Sequence, residues 1–378
     1  MGKQMGFFHT LESFRPHGMA IWYEKSTPES EALEVDIHFN LWWCRGYKKK
    51  EPSYSFLDVG IMLHHQSSHG GDPGDIVLYL PFTLSSPDIY DIAGHLKSST
   101  MTRGIFNANL TVSKNENIVE LKDGDSLFAR VHVLLDSEYL LHSNNNGTTI
   151  TIISDTIKRA LQDCDGNIYF RIRLHLSDQD NPFIKSIHPT DKYFLSGYET
   201  IDYIDFRLNE TRVLPEEISR KMNDFKVCHL KIKQVYFLLA TNLMADFIVG
   251  HEQFHKCRLL ENDIWKDYVK KPRVIGNENG DERSHILPNH MIIYQWNDTV
   301  FKKGSREIHE FHAFMKFKQR KSNMMTVLIS LSIILVIAIL GSFSANYIYD
   351  NLYYNSDKSG YDSQESGNDH TPARRLNK

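Results

Sequence analysis

The chain has 378 residues, of which 41% are hydrophobic and 24% are charged, and its net charge is −4. These values exclude a wholly disordered chain, a fibrous repeat and a polytopic membrane protein, and they give no general attraction to nucleic acid. The four cysteines are far apart in sequence, so they predict neither a disulfide framework nor a paired-cysteine zinc site.

Residues 31–215 are predicted to be mostly strand. Apolar residues at every second position from Leu33 to Trp43 alternate with Glu34, Asp36, His38, Asn40 and Trp42, which gives one face to a core. Further strands are expected at 76–82, 128–135, 168–176 and 200–208, and short helices at 87–96 and 155–162. Many strands with few helices predict a mostly antiparallel sandwich or barrel-like domain over residues 1–215.

Residues 216–304 are predicted to be an α+β extension packed on that domain, so the fold class of the whole chain is α+β. The expected elements, in chain order, are a helix at 215–223, a strand at 227–235, a helix at 236–268, a polar loop at 270–289 and a strand at 291–301. The helix at 236–268 is predicted because no proline interrupts it, and its first half is apolar nearly all round. That half is too short for a membrane span, which indicates a buried helix.

The next two segments are predicted to lead into and across a membrane. Residues 305–323 carry apolar residues at helical spacing among basic ones, which predicts a basic juxtamembrane helix. Residues 324–348 are 25 uncharged residues, and a helix of that length spans roughly 37 Å, enough for a bilayer core of about 30 Å. The two helices are expected to be continuous, and residues 349–378 to form a disordered exterior tail.

Charge around the span predicts its orientation. The basic residues that flank it upstream include Lys316, Lys318, Arg320 and Lys321, whereas no lysine or arginine follows until Lys358. Basic residues stay on the cytoplasmic side, so the N-terminal domain is expected in the cytoplasm and the tail outside, in a plasma or inner membrane. The basic flank also predicts contact with anionic lipid.

Two small residues four apart, Gly341 and Ala345, lie in the predicted span. Small residues at this spacing let two helix backbones approach closely, so the span is a candidate for self-association into a homo-oligomer.

One string resembles a catalytic motif. His251, Glu252 and His255 form HExxH, and on a helix the two histidines would share a face and could bind one zinc ion while Glu252 took a proton from its water. In these five residues the chain resembles the core motif of zinc metallopeptidases. A third protein ligand is needed, and the metzincin extension is missing because Arg258 and Glu261 stand at its positions. The alternative is that the two histidines are structural.

A second cluster of histidines, His64, His65 and His69, precedes a loop of glycine, proline and aspartate. Histidines beside carboxylates can bind a metal, although such a loop is more often an exposed connection. The sequence has no phosphate-binding loop, no dinucleotide fingerprint, no nucleophile elbow and no CxxC motif.

Two functions therefore stand as hypotheses. The first is a single-pass membrane protein, without a cofactor, whose cytoplasmic domain binds a protein partner or small ligand and couples it to the membrane, as a sensor or effector in a stress or antiviral response would. The second is a membrane-anchored zinc hydrolase that uses the HExxH string.

Overall fold

The structure is a computed structural model. The residues that it describes are 18–25, 32–44, 54–65, 73–115, 118–162, 164–176, 181–187, 199–224, 227–228, 230–250, 254–269, 291–300, 307–320 and 324–361. The chain divides into two compact units, one of Met1–Ile187 with Thr200–Arg320 and the other of His188–Glu199 with Lys321–Lys378.

The first unit is built mainly of strands. Those in its first half are β1 (Ala20–Glu24), β2 (Glu34–Cys44), β3 (Tyr54–Leu63), β4 (Asp75–Leu80), β5 (Ile89–Asp91), β6 (Thr111–Asn115), β7 (Ile118–Asp123), β8 (Ser126–Val131), β9 (Tyr139–Asn144) and β10 (Gly147–Ile152). Those that follow are β11 (Ile168–Leu176), β12 (Ile184–Ile187), β13 (Glu199–Leu208), β14 (Val227–Cys228), β15 (Lys231–Asn242), β16 (Ala245–Gly250), β17 (Lys256–Leu259), β18 (Met291–Thr299) and β19 (Phe311–Arg320).

Short helices connect the strands of this unit. Within the described residues, the α-helices of this unit are α1 (Ser99–Phe106), α2 (Ser154–Gln162), α3 (Glu216–Met222) and α4 (Asn262–Trp265). The 3-10 turns are Ser86–Asp88, Ala93–Lys97, Asp136–Glu138 and Thr211–Val213.

The described strands form three sheets that share a central hydrophobic core. A ten-stranded sheet has the order β17-β18-β15-β2-β3-β11-β8-β7-β6, with β5 paired to β11, and it is mostly antiparallel. A five-stranded sheet (β14-β1-β4-β10-β9) and a four-stranded sheet (β12-β13-β19-β16) contribute their apolar faces to the same core. Ring contacts such as Phe39 to Phe206, with centroids 4.8 Å apart, join β2 to the four-stranded sheet.

Both faces of the ten-stranded sheet are covered. The alternation of β2 places Val35, Ile37, Phe39 and Leu41 in the central core, as predicted. The opposite face, which carries Trp42, packs under α1, the 3-10 turn Ala93–Lys97 and α4 in a second apolar cluster. The polar side chains of this second face are therefore buried as well.

Most of the predicted strands and the α+β fold class are confirmed. Strands occur within or close to the expected segments 33–43, 76–82, 128–135, 168–176, 200–208 and 291–301. Helices α2 and α3 also lie where the sequence predicts them. Two parallel pairings, β2 with β15 and β8 with β11, were not predicted.

The predicted helix at 236–268 is wrong. Residues 231–242 form β15, which lies between β2 and β18, and β16, β17 and α4 follow. A central strand covered on both faces is apolar on both faces, so its sequence shows no alternation and resembles a buried helix.

The predicted helices at 305–323 and 87–96 are also wrong. Phe311–Arg320 is β19, in which buried Phe311, Ala313, Met315 and Phe317 alternate with more exposed residues at the period of a strand. A continuous helix into the span is excluded, because β19 runs to Arg320. The segment 87–96 begins and ends in the 3-10 turns Ser86–Asp88 and Ala93–Lys97, but between them it forms β5, whose pairing with β11 replaces a local α-helix by tertiary hydrogen bonds.

The second unit contains a long helix, Met324–Tyr361, here called the C-terminal helix. Its segment Val327–Tyr353 is long and apolar enough to cross a membrane, and none of that segment is buried. Such an exposed apolar surface is typical of a segment that contacts lipid or another protein.

Gly60 on β3 is expected to be essential for packing on the second face of the large sheet. A Cβ atom at this position would overlap the hydroxyl oxygen of Tyr169, which is fully buried. We expect Gly60→Ala to displace the ring and lower the free energy of unfolding by about 1–3 kcal/mol, the usual cost of overpacking. Chemical denaturation of the full chain in detergent measures this difference.

Gly94, in the 3-10 turn Ala93–Lys97, provides the matched control. No atom lies within 4 Å of a Cβ built there. Gly94→Ala should leave the unfolding midpoint near that of the wild type. Equal midpoints for Gly60→Ala and Gly94→Ala would contradict the packing of Tyr169 against Gly60.

Candidate functional site

The register of the large sheet brings its polar residues together on the face that α1 and α4 cover. Asn40 on β2 lies opposite Asp58 on β3, and Asp58 lies opposite Arg173 on β11. One step along the strands, His38 lies opposite Gly60, and Gly60 opposite Arg171. Cross-strand neighbours share a face of the sheet, so these side chains form two adjacent rows.

A buried ion pair joins Asp58 and Arg173. Arg173 Nε donates to Asp58 Oδ1 at 2.7 Å and Arg173 Nη2 donates to Oδ2 at 3.1 Å. The guanidinium also lies 3.9 Å from the ring centre of Phe56. Removal of one partner from such a pair would leave an uncompensated buried charge, which typically costs about 3–5 kcal/mol.

Tyr268, which follows α4, connects this pair to Arg171. Its hydroxyl donates to Asp58 Oδ2 at 2.6 Å and accepts from Arg171 Nη2 at 2.7 Å, while its carbonyl accepts from Arg173 Nη1 at 2.7 Å. The side chains of Asp58, Arg171 and Tyr268 have no exposed surface. One carboxylate thus faces two guanidinium groups, and the buried cluster carries a net positive charge.

The hydrogen bonds continue from Arg171 to His38. Arg171 Nη1 donates to the hydroxyl oxygen of Tyr169 at 2.7 Å, which leaves the Tyr169 proton free to be donated to His38 Nδ1, 3.2 Å away. An accepting Nδ1 assigns the proton of a neutral imidazole to Nε2. Burial, and then the positive charge of Arg171, lower the pKa of His38 to about 3, so the ring is neutral near pH 7.

His38 also lines a cavity of about 170 Å³ that is partly open to solvent. Its walls are apolar and aromatic, with a few polar groups: Asp36, His38, Met62, Ile105, Phe106, Ala108, Phe128, Gln234, Tyr236, Leu238 and Gln295. Within the part of the chain that the structure describes, the His38 ring makes its hydrogen bond through Nδ1. Its Nε2–H is therefore available as a donor to a molecule in the cavity.

Asp36 supplies an acceptor to the same cavity. His64 Nε2 lies 3.2 Å from Asp36 Oδ1, and this contact with the carboxylate raises the pKa of His64 above its ordinary value. The cavity thus combines a neutral donor, a carboxylate and the rings of Phe106, Phe128 and Tyr236. These groups can hold a small ring-shaped molecule that has both an acceptor and a donor.

The described residues on both sides of the HExxH string form strands, β16 up to Gly250 and β17 from Lys256, rather than the predicted helix. His251 and Glu252 lie outside the described residues, and His255 is exposed and donates its backbone N–H to Gln295 at 2.7 Å, just before β17. Among the described residues, no three His, Cys, Asp or Glu side chains lie together as a metal site would require. The zinc hypothesis gains no support from the described part of the chain, and it stays a prediction.

The other predicted site residues are dispersed. Lys316 and Lys318 lie on β19, and Arg320 ends it, while Lys321 lies outside the described residues. Of the histidine cluster, His64 contacts Asp36 and His69 lies outside the described residues.

The small-residue pair lies on the exposed C-terminal helix, and self-association through it stays a prediction. No atom lies within 4 Å of a Cβ placed at Gly341, so the face that Gly341 and Ala345 share is open in the single chain.

The buried polar residues of the second face are not among the predicted site residues. Asp36, His38 and Asn40 were recognised only as the polar half of an alternation. A signal was present, because β11 also places two arginines, Arg171 and Arg173, on one face. Arginines at alternate positions of a strand need partners when both faces of the sheet are covered.

No protein-family model matches the chain, and no curated protein matches it. Among solved structures, the Fcho1 Mu homology domain of Danio rerio with bound Eps15 peptide is 11% identical in sequence. The match covers 77% of this chain and 81% of that chain, with a TM-score of 0.15. A TM-score of 0.15 is too low to indicate a shared fold, so neither its fold nor its peptide binding is transferred to this chain.

The lowered pKa of His38 predicts an acid-sensitive domain. The folded state favours neutral His38, so the contribution of this residue to the free energy of unfolding is fully present above the ordinary pKa of about 6.5. As the pH falls from there towards 3, that contribution is lost at about 1.4 kcal/mol per pH unit. Between about pH 7.5 and about pH 5, the wild type should lose about 2 kcal/mol more unfolding free energy than His38→Gln. Denaturant titrations at the two pH values measure this difference.

Leu238→Ala is the control, because it removes packing from the cavity wall without removing a titratable group. It should keep the pH dependence of the wild type, whatever its stability at neutral pH. A wild type and a His38→Gln variant with the same pH dependence would contradict a neutral buried His38.

Proposed function

We propose that this chain is a single-pass membrane-anchored protein whose β-rich domain binds a small uncharged ring-shaped molecule in the His38 cavity, as a sensor or effector. The observation that carries the proposal is the available Nε2–H of His38 in a cavity whose lining is mostly apolar and aromatic and also includes Asp36, Gln234 and Gln295. The domain would respond to the ligand, and the C-terminal helix would hold it at the membrane.

The C-terminal helix supports the anchor, and the flanking charge supports its orientation. The apolar segment Val327–Tyr353 has the length and composition of a span. Lysines and arginines occur before it, at Lys316, Lys318, Arg320 and Lys321, and the next one after it is Lys358. By the positive-inside rule, the domain would be cytoplasmic and the tail outside.

The size of the cavity supports a ligand with a single ring. An apolar cavity of about 150 Å³ holds benzene, and this one, at about 170 Å³, is slightly larger. Phe106 and Phe128 provide aromatic surfaces, with ring centres 5.5 Å apart in an edge-to-face arrangement. A ring packed beside them would replace water on apolar surface.

The polar groups of the lining define the ligand further. The His38 Nε2–H would donate to an acceptor on the ring, and the amide groups of Gln234 and Gln295 and the carboxylate of Asp36 can accept from a donor. Among the residues that the structure describes, the lining includes the carboxylate of Asp36 but no lysine or arginine side chain. An uncharged ligand is therefore favoured over an anionic one of the same shape.

Benzamide and benzoate form a matched pair of probes for this cavity. They have the same shape, but benzamide is uncharged and has both a donor and an acceptor, whereas benzoate is an anion. We expect saturable binding of benzamide to the full chain in detergent in the millimolar range, as ligand efficiency allows for nine heavy atoms, and weaker binding of benzoate. Ligand-detected NMR measures both.

Two variants distinguish binding of benzamide in the cavity from its partition into the detergent. Ala108→Trp places a large side chain on the cavity wall and should abolish the benzamide signal, while Leu140→Trp adds the same exposed ring on β9 and should keep it. Equal benzamide signals from the wild type and Ala108→Trp, or no saturable signal from the wild type, would contradict the proposed site.

A further inference from the structure

The turn between β15 and β16 is unusual because it exposes large apolar side chains. Leu243 and Met244 form this turn, and 68% of Met244 is exposed. Ile248 and Val249 on β16 are also exposed, at 43% and 51%. These four residues are here called the apolar edge. They cluster on one turn and one short strand rather than scatter singly over the surface, which is typical of an interaction site.

The register places the apolar edge beside the end of β19. Ala245 lies opposite Gln319, and Val249 lies opposite Lys316. The β15–β16 turn therefore lies at the same end of the sheet as Arg320, the last residue of β19. The C-terminal helix begins at Met324, and four residue steps span at most roughly 14 Å. By covalent connection alone, this end of the sheet lies near the point where the chain would enter the bilayer.

Positive charge accompanies the apolar edge. Lys316 and Lys318 lie on the face of β19 that is less buried, and Lys316 Nζ lies 5.5 Å from the ring centre of Tyr203. Asp246 lies opposite Lys318 and partly balances its charge. With Arg320, this region keeps an excess of basic residues next to the exposed apolar side chains, a combination that suits the surface of an anionic bilayer.

The shape of β16 argues against a strand of another protein as the occupant. β16 is the last strand of the four-stranded sheet, but its register shifts between Phe247 and Val249, so that Ile248 is an extra residue in a bulge. A bulge bends an edge strand and interrupts the regular backbone groups that a further strand would pair with. A bilayer needs no such regular pairing.

We propose that the apolar edge docks on the membrane that the C-terminal helix spans, with Leu243 and Met244 inserted at the level of the headgroups and Lys316 and Lys318 against anionic lipid. This inference rests on the proposed membrane anchor. It adds a second contact with the bilayer, which would fix the orientation of the β-rich domain relative to the membrane surface.

A fluorescent probe on Met244 tests the docking. The experiment uses the full chain with Cys228→Ser and Cys257→Ser. Cys257 is replaced because it is exposed, whereas Cys44 and Cys164 are buried and are kept. In this background, Met244→Cys is labelled with the environment-sensitive dye NBD. Leu140→Cys, at an exposed leucine on β9, is the control. Both chains are reconstituted in vesicles of phosphatidylcholine, with or without phosphatidylserine.

We expect a blue-shifted emission for the probe at 244 that spin-labelled lipid quenches and aqueous iodide does not, and a larger shift with phosphatidylserine. Lys316→Gln combined with Lys318→Gln should remove the increment due to phosphatidylserine. The probe at 140 should remain open to iodide in both lipids.

Extraction of the vesicles with alkali shows whether the C-terminal helix anchors the chain, independently of whether the apolar edge docks on the membrane. If the chain resists extraction but the probe at 244 behaves like the one at 140, the docking is wrong and the anchor stands. If alkali extracts the chain, both are wrong. A probe that is shielded from iodide and from lipid quenchers alike, and that becomes exposed on dilution of the protein, would instead indicate contact between copies of the chain.

Discussion

The carboxylate of Asp58, placed between two buried guanidinium groups, is the interaction on which the second face of the large sheet depends. Asp58 accepts from both Arg173 and Tyr268 and thereby joins β3, β11 and the segment after α4. Two arginines could not remain buried in this position without it, because burial of an unpaired charge costs several kcal/mol. The same bonds hold α4 over the sheet, so one carboxylate links the charge balance to the packing of a whole layer.

The excess positive charge of this cluster has a consequence for His38. Burial, and then the positive charge of Arg171, lower the pKa of His38 and keep the imidazole neutral. Arg171 donates to Tyr169, and the contact of Tyr169 with His38 Nδ1 holds the imidazole in one orientation. A neutral ring with Nδ1 occupied presents a single donor, fixed by packing rather than by solvent. Preorganisation of this kind reduces the entropy lost when a ligand binds. The hydrogen-bond donor that His38 presents to the cavity is thus fixed in part by the buried residues Arg171 and Tyr169.

Local alternation of apolar and polar residues predicts some strands of the sheets and not others. β2 and β11 were recognised by alternation, whereas β15, apolar on both faces, was predicted as a helix. β19 was missed because Phe314 lies on its less buried face and imitates helical spacing. The site around His38 and Asp58 depends on register between strands more than 100 residues apart, which no local pattern encodes. The apolar C-terminal helix was predictable because its signal is local.

The protonation state of His38 is the most direct test of this linkage between buried charge and cavity. Nitrogen NMR of the full chain labelled with ¹⁵N-histidine reports the tautomer of each imidazole, and the difference spectrum with His38→Gln assigns the signal. If Arg171 and Tyr169 hold the ring as the structure shows, His38 will be the neutral Nε2–H tautomer and will remain so as the pH is lowered from about 7 to about 5. An imidazolium in this range, or a neutral ring protonated at Nδ1, would contradict it.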